Sequence, residues 1–315
     1  MDKNGFINYL ENKDLSPVTI DNHTELVERF FAKTKKEDIQ VTKPDVLKYL
    51  EYLKNHKKQQ NNTRKLHLNA LNHYFSFLYQ AGQIAQNPCL LLKIRGTRKR
   101  MLYKIYTPEE LEQLFDNYYH FFVRNYDDRH IAAKNSKKQA ALGRERNVAI
   151  LSILLHQGVI TTEITKIEIN DLDLIKASIK IRATKKHNER VLPLKASQIG
   201  VLMHYLQNIR PQFMAYQTRE NDKLFLSLPA NDKKTMDNDL AECIFTPFTA
   251  QLKSIDKQFL NFKQVRASVI TFWLKTHGLR KTQYLAGHKH VTSTEEYLPN
   301  NLDDLTDDIN KLHPF

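Results

Sequence analysis

Three helix-start signals fall within roughly the first ninety residues, each followed by apolar side chains at helical spacing, which leaves room there for little but a helical bundle. Ser16-Pro17 sets a capping serine before a proline that fits the first turn, and Ile20, Leu26, Val27, Phe30 and Phe31 follow. Thr42-Lys43-Pro44-Asp45 opens a second helix through Val46, Leu47, Leu50 and Leu53. Asn62-Thr63 precedes a long third stretch whose apolar stripe runs Leu66, Leu68, Leu71, Tyr74, Phe75, Phe77 and Leu78. With so little strand character this segment is expected to be a small all-α module of four helices, ended by Asn87-Pro88.

A different pattern follows. Lys93, Arg95, Arg98, Lys99, Arg100 and Lys104 crowd into one short stretch without an acidic residue, either a solvated linker or a connector that tracks phosphates. Thr107-Pro108-Glu109-Glu110 then carries the capping-box pattern of a new helix. The expected division is a helical domain over 1–95, a basic linker over 96–106, and a second domain with a C-terminal tail over 107–315. Within the second domain Asn147 to His156 reads as an apolar helix and Thr161 to Ile167 as a short one. Ala177 to Arg182 alternates as a strand, and Arg190 to Leu194 returns antiparallel to it across the polar turn Thr184 to Glu189. Helices are expected at about 196–208, 239–254, 262–277 and 279–286. Tyr118 to Arg146 is basic, with an aromatic cluster at one end, and suggests no role. The tail, with Asp303, Asp304, Leu305, Asp307, Asp308, Ile309 and Leu312, reads as an acidic amphipathic helix. The fold class is therefore mainly α with a small antiparallel sheet.

Charge narrows the partners. Across 315 residues, 48 Lys and Arg against 35 Asp and Glu leave a formal charge of +13, which favours a polyanion, above all nucleic acid. Two cysteines, Cys89 and Cys243, support neither a disulfide framework nor a zinc cluster. His288 and His290 form an i, i+2 pair without cysteine or carboxylate partners, so no metal is expected. Only 8 glycines, and no glycine-rich phosphate loop, argue against a nucleotide-driven enzyme; no cofactor is expected. No leader-like apolar stretch and no run of roughly twenty apolar residues occurs, so a cytoplasmic, nucleoid-associated protein without a membrane partner is expected.

The segment Gly287-His288-Lys289-His290-Val291-Thr292-Ser293-Thr294-Glu295-Glu296-Tyr297 concentrates the chemistry. A tyrosine hydroxyl can attack a DNA phosphate and conserve the bond energy as an ester, which requires cations around the phosphate but no metal and no ATP. Lys185, Lys263 and Arg266 are candidate cations.

In this order the features resemble the tyrosine recombinases, the phage integrase family, over nearly the whole chain. Leu285-Ala286-Gly287-His288 with Thr292, Thr294 and Tyr297 resembles the family's terminal box; Lys263-Gln264-Val265-Arg266 resembles its His-x-x-Arg. Asn188-Glu189-Arg190-Val191-Leu192-Pro193-Leu194 is similar to its Lys-Glu-Arg-Val-Val-Pro-Leu strand, and Gly158 to Ile164 to its Gly-Leu-Arg-x-x-Glu-Leu motif. The resemblance implies a SAM-like helical core-binding domain and an α/β catalytic domain, closing as a C-shaped clamp on double-stranded DNA, and a homotetramer that exchanges strands through a Holliday junction. It implies Tyr297 as nucleophile, Arg266 and Lys263 as phosphate cations, and His288 as a phosphate or tyrosine contact. Lys185 would be the acid for the leaving oxygen, with Lys186 as its competitor, and Glu163 a scaffold carboxylate. Arg95, Arg98, Lys99 and Arg100 would follow the DNA backbone.

Two positions depart from the pattern. Lys263 stands where the family has histidine and keeps a cationic donor. Ile160 stands where the family has its first arginine and supplies no charge, so either another cation such as His156, Lys166 or Arg146 fills the gap or the enzyme is slow or inactive. A catalytically degenerate DNA-binding descendant and a type IB topoisomerase-like relaxing enzyme are the rival expectations.

Overall fold

The computed structural model describes residues 1–96, 103–129, 134–229, 239–240 and 242–298. They fall into two compact units, Met1–Met101 and Leu102–Phe315. The basic run Arg98-Lys99-Arg100 and the acidic tail beyond Leu298 lie outside the described residues.

In the first unit the polar starts satisfy backbone N–H groups that a helix leaves open. Asp2 accepts from Gly5 N (2.9 Å) at α1 (Lys3–Glu11), and Ser16 Oγ accepts from Thr19 N (3.3 Å) at α2 (Pro17–Thr34). Thr42 N donates to Asp45 Oδ2 (2.9 Å) where α3 (Lys43–Asn55) begins, and α4 runs Asn61–Gln80. The stripes meet in one core around Phe6, Val27, Phe30, Leu50, Leu71, Tyr74 and Phe75. Aromatic rings there pack edge to face, Phe30 on Tyr49 at 5.0 Å and Phe6 on Tyr74 at 5.1 Å. Leu66 is an exception to its stripe: it faces solvent, 55% exposed, in the first turns of α4.

The second unit opens with α5 (Pro108–Tyr119), where Thr107 and Glu110 exchange side-chain and backbone hydrogen bonds as a capping box. A π-helical turn prolongs it through Arg124. The central helix α6 (Lys134–Gln157) starts well before the apolar run at Asn147. Ahead of that run the helix is anchored by Leu142 together with buried arginines: Arg144 lies 3.7 Å over the Tyr126 ring, and Arg146 donates to Leu226 O at 2.9 Å. Hydrophobic periodicity is blind to that kind of anchoring.

After α7 (Thr161–Ile164) comes an antiparallel sheet in the order β1 (Leu172–Asp173), β2 (Ser178–Ile181), β3 (Arg190–Pro193). Ser178 pairs with Pro193 and Ile181 with Arg190, so Ile179, Ile181 and Leu192 face the core. Helices α8 (Ala196–His204) and α9 (Arg210–Met214) are joined by a π-helical turn, and α10 (Phe245–Ile255) follows a 3₁₀ turn. The long α11 (Phe262–Ala286) packs on α6 and is broken at Gly278, whose φ of 72° and ψ of 177° are not helical. The short α12 (Thr292–Glu295) comes before Tyr297. No helix among the described residues is long and apolar enough to cross a membrane.

Candidate active site

Arg266, on the second turn of α11, is only 4% exposed, and its guanidinium gathers the site around it. One end donates to Gly158 O, immediately after α6, and the other to Ala286 O (2.9 Å), the last residue of α11. Burial pulls its pKa down, while Tyr297 and Glu163 nearby act in the opposite sense, Tyr297 also through a side-chain hydrogen bond.

His288 completes that shell. Arg266 Nη2 lies 3.1 Å from His288 Nε2, and because a guanidinium only donates, Nε2 must accept. The proton then sits on Nδ1, which donates to Thr294 Oγ1 at 2.9 Å. Burial, reinforced by Arg266, pushes the imidazole down to about 3, so it is neutral at physiological pH. The Tyr297 ring stacks on it, centroids 5.7 Å apart and planes 17° apart. The phenol, the neutral imidazole and the guanidinium therefore form one cluster within a single chain.

Beneath this cluster lies a buried ion pair. Glu163 on α7 accepts from Arg190 Nη1 (2.8 Å) and Nη2 (3.1 Å), both side chains fully buried, and from Ile160 N (2.9 Å). Burial alone would raise the Glu163 carboxyl, but Arg190 and the Ile160 amide outweigh it and hold it below its usual range. Glu163 stands 3.9 Å from Arg266 Nη1, close enough to feel its charge without a direct hydrogen bond. Gly287 is required at its position twice over. Its φ is +71°, and a Cβ there would lie 2.5 Å from Arg190 Nη1.

The hairpin between β2 and β3 is tied to the same spot. Asn188 N donates to Gly287 O (2.8 Å), and His187 bridges to His288. Thr184 and His187 close the tip around Lys185 and Lys186, Thr184 N donating to His187 O at 2.8 Å and His187 N to Thr184 Oγ1 at 3.0 Å. Lys185 is thus exposed on a loop anchored beside His288.

Lys263 is placed differently from Arg266. It is exposed at the first turn of α11 and lines a groove of about 660 Å³ with Thr161, Lys253 and Asn261. Arg95 belongs to the first unit, exposed, its carbonyl accepting from Asn61 Nδ2 at 2.9 Å. Of the cations considered to compensate for Ile160, Arg146 is buried against Leu226 O and Asn147, and His156 lines cavities with Glu112, Gln198 and Trp273. Lys166 is exposed just after α7. Arg190 and His187 are the site residues that motif spacing did not single out. A charged residue on the inward side of β3, in phase with Leu192, was the available signal for Arg190. Among the described residues no group of three or more His, Cys, Asp or Glu is placed to hold a metal ion.

Comparison with known proteins agrees with this architecture. Residues 4–82 match the family described as phage integrase, N-terminal SAM-like domain, and residues 129–303 match the phage integrase family. The tyrosine recombinase XerC of Anoxybacillus flavithermus is 26% identical over 305 residues, covering 93% of this chain and 91% of that protein. The tyrosine recombinase XerD of Listeria innocua is 26% identical over 251 residues, covering 78% and 74%. Among solved structures, the site-specific recombinase XerH in a post-cleavage complex with palindromic difH substrate aligns with a TM-score of 0.67 at 17% identity, over 96% of this chain and 82% of that one. A lambda integrase dimer bound to a COC′ core site aligns with a TM-score of 0.61 at 13% identity, over 94% and 93%.

Proposed function

The chain belongs to the phage integrase family, and from that premise we propose that it is a site-specific DNA recombinase that cuts and rejoins double-stranded DNA through a 3′-phosphotyrosine. The observation that carries the reading is the single-chain cluster in which the Tyr297 phenol meets the Arg266 guanidinium and stacks on His288. In the reaction the Tyr297 phenol loses its proton to solvent as its oxygen attacks the scissile phosphorus, the bond from phosphorus to the 5′ oxygen breaks, and that oxygen leaves with a proton from Lys185, which solvent replaces. Attack by a 5′ hydroxyl of the partner strand reverses these steps and releases Tyr297. Arg266 donates to the non-bridging oxygens, where a preorganised cation in a dry site is worth on the order of 3 kcal/mol of barrier. His288, neutral and fixed between Arg266 and Thr294, positions the phenol. Lys263 and the basic residues Arg95, Arg98, Lys99 and Arg100 hold the phosphate backbone, which makes binding fall with salt. A tetramer on DNA, acting on the chromosome or on a mobile element, is the assembly this chemistry needs for two duplexes. Ile160 in the place of the family's first arginine brings no charge to the phosphate; the intact Arg266, His288 and Tyr297 cluster argues against a silent descendant.

A binding site can be selected from a random duplex pool with the Tyr297→Phe protein, then rebuilt with a nick beside the cleavage position. Wild type should trap a denaturant-resistant protein–DNA adduct on that duplex, and Tyr297→Phe should bind it equally and trap none. An adduct in the phenylalanine variant, or none with wild type on a bound nicked duplex, would overturn the reading.

A further inference from the structure

His187 is a titratable group at this site whose chemistry the reaction above leaves unused. Its side chain is 14% exposed, and its ring lies 6.0 Å from that of His288, the planes 35° apart. Nδ1 is turned inward, 3.6 Å from Glu163 Oε1 and 3.5 Å from Thr184 Oγ1. On the geometry of an imidazole, Nε2 then occupies the opposite edge of the ring. The backbone of His187 is fixed by Thr184 on one side and by the bridge to His288 on the other.

We propose that His187 is a phosphate-contacting residue of this site: as an imidazolium braced at Nδ1 by Glu163, it donates from Nε2 to a non-bridging oxygen of the scissile phosphate. The inference rests on the recombinase reading and supplies the charge that Ile160 does not. The other cation on the same carboxylate cannot do this, because Arg190 is fully buried with both terminal nitrogens on Glu163. Ile160 N and His187 Nδ1 approach the two different oxygens of the same carboxylate, Oε2 and Oε1, so the histidine and the position that lost its charge share Glu163.

In the DNA-free protein the ring is neutral. Burial is the largest influence, Arg266, Arg190 and Lys186 add to it, Glu163 opposes them, and the outcome is a pKa pushed down to about 4. His288, its ring tilted beside it, is neutral as well. A phosphodiester entering the pocket brings negative charge against the groups that hold the proton off. His187 then takes up a proton from solvent, with Glu163 on one edge and the phosphate on the other, and no bond within the protein is made or broken.

The test uses the full chain with ring-¹³C histidine, the His187 signal among the 13 histidines being assigned by its loss in His187→Asn. Inorganic phosphate, against chloride at equal ionic strength, should raise the His187 titration midpoint by about one unit, a tenfold gain in proton affinity. An unchanged midpoint overturns the proposal. No cleavage is involved, so this outcome is separable from failure of the Tyr297 adduct. On the nicked duplex His187→Ala should slow adduct formation by roughly a hundredfold, and Ile160→Arg placed in that variant should recover most of it. A histidine that merely holds the hairpin tip predicts a loss that Ile160→Arg does not repair, and wild-type rates in His187→Ala would also refute the role.

Discussion

Glu163→Gln should weaken the second unit far more than its small change in shape suggests. In the native protein the carboxylate is bidentate on Arg190, and neither side chain reaches solvent. Glutamine keeps one acceptor for Arg190 or for Ile160 N but removes the charge, leaving two buried guanidiniums, Arg190 and Arg266, around a neutral amide. Removing one member of a buried pair costs about 3–5 kcal/mol, and the retained acceptor puts the expected loss near the lower end, about 3 kcal/mol. With a urea dependence of roughly 3 kcal/mol per molar, the midpoint should fall by about 1 M. The chain's single tryptophan, Trp273, packs against the core of this unit, so its fluorescence reports this unit's unfolding and not that of the first. The pH dependence has a definite sign. The Glu163 pKa is lowered in the folded state, so its contribution is complete above the unfolded value of 4.5 and is lost as pH falls through the lower folded value. The gap between wild type and Glu163→Gln should therefore close only below about pH 4.5. A midpoint unchanged at pH 7 would mean that the pair is not the buried strut its geometry describes.

Gly287→Ala should also lower the Trp273-detected midpoint, since αL backbone costs a residue with a Cβ roughly 1–2 kcal/mol and Arg190, pinned by Glu163, cannot retreat from a Cβ 2.5 Å away. Gly200→Ala, in helix α8 with open space around it, should add up to about 1 kcal/mol of stability and raise the midpoint; both variants moving the same way would contradict the Gly287 argument. In the first unit His23 and His73 lie 5.1 Å apart and His67 is buried against Tyr49, and burial, the largest cause in each, lowers the pKa of all three. The unfolded chain then binds more protons, so stability of this unit should drain away as pH falls below about 6.5. Hydrogen exchange in α2 and α4, corrected for intrinsic rate, should show less protection at pH 5.5 than at pH 7; equal protection would refute it.

Punctuation and period carry most of this fold on the surface of the sequence. Ser16, Thr107 and the Gly278 break mark helix limits because each satisfies or interrupts a specific backbone group, and the alternation of Ser178 to Ile181 and Arg190 to Pro193 gives the antiparallel pair. The early half of α6 and strand β1 escape for physical reasons. Arg144 and Arg146 are buried by cation–π contact and carbonyl bonds that no hydrophobic pattern encodes, and β1 is a two-residue partner chosen by β2. At the site, the terminal box is legible because its residues are close in sequence. The dependence of Arg266 on Gly158 and Ala286 carbonyls, and of Glu163 on Arg190, is not, since each joins residues that only the fold brings together. Lys263 and Arg266 stand three residues apart on α11, yet one is solvent-exposed and the other buried.

How Arg266 is held explains why its charge remains available. A tight carboxylate partner would stabilise the buried guanidinium and at the same time cancel the field a phosphate needs. Here the nearest carboxylate is already bidentate on Arg190 and stands 3.9 Å off, while the direct partners are carbonyls at the ends of α6 and α11, a neutral imidazole and the Tyr297 phenol. Carbonyls at helix C-termini carry partial negative charge, enough to seat a cation without neutralising it. Glu163, Arg190 and Arg266 together therefore leave one positive charge unmatched in a buried pocket. Such a pocket is less stable empty than filled, and an anion at the phosphate position restores the balance. On the recombinase reading proposed above, the free energy of that unmatched charge is what would draw a scissile phosphate toward Tyr297.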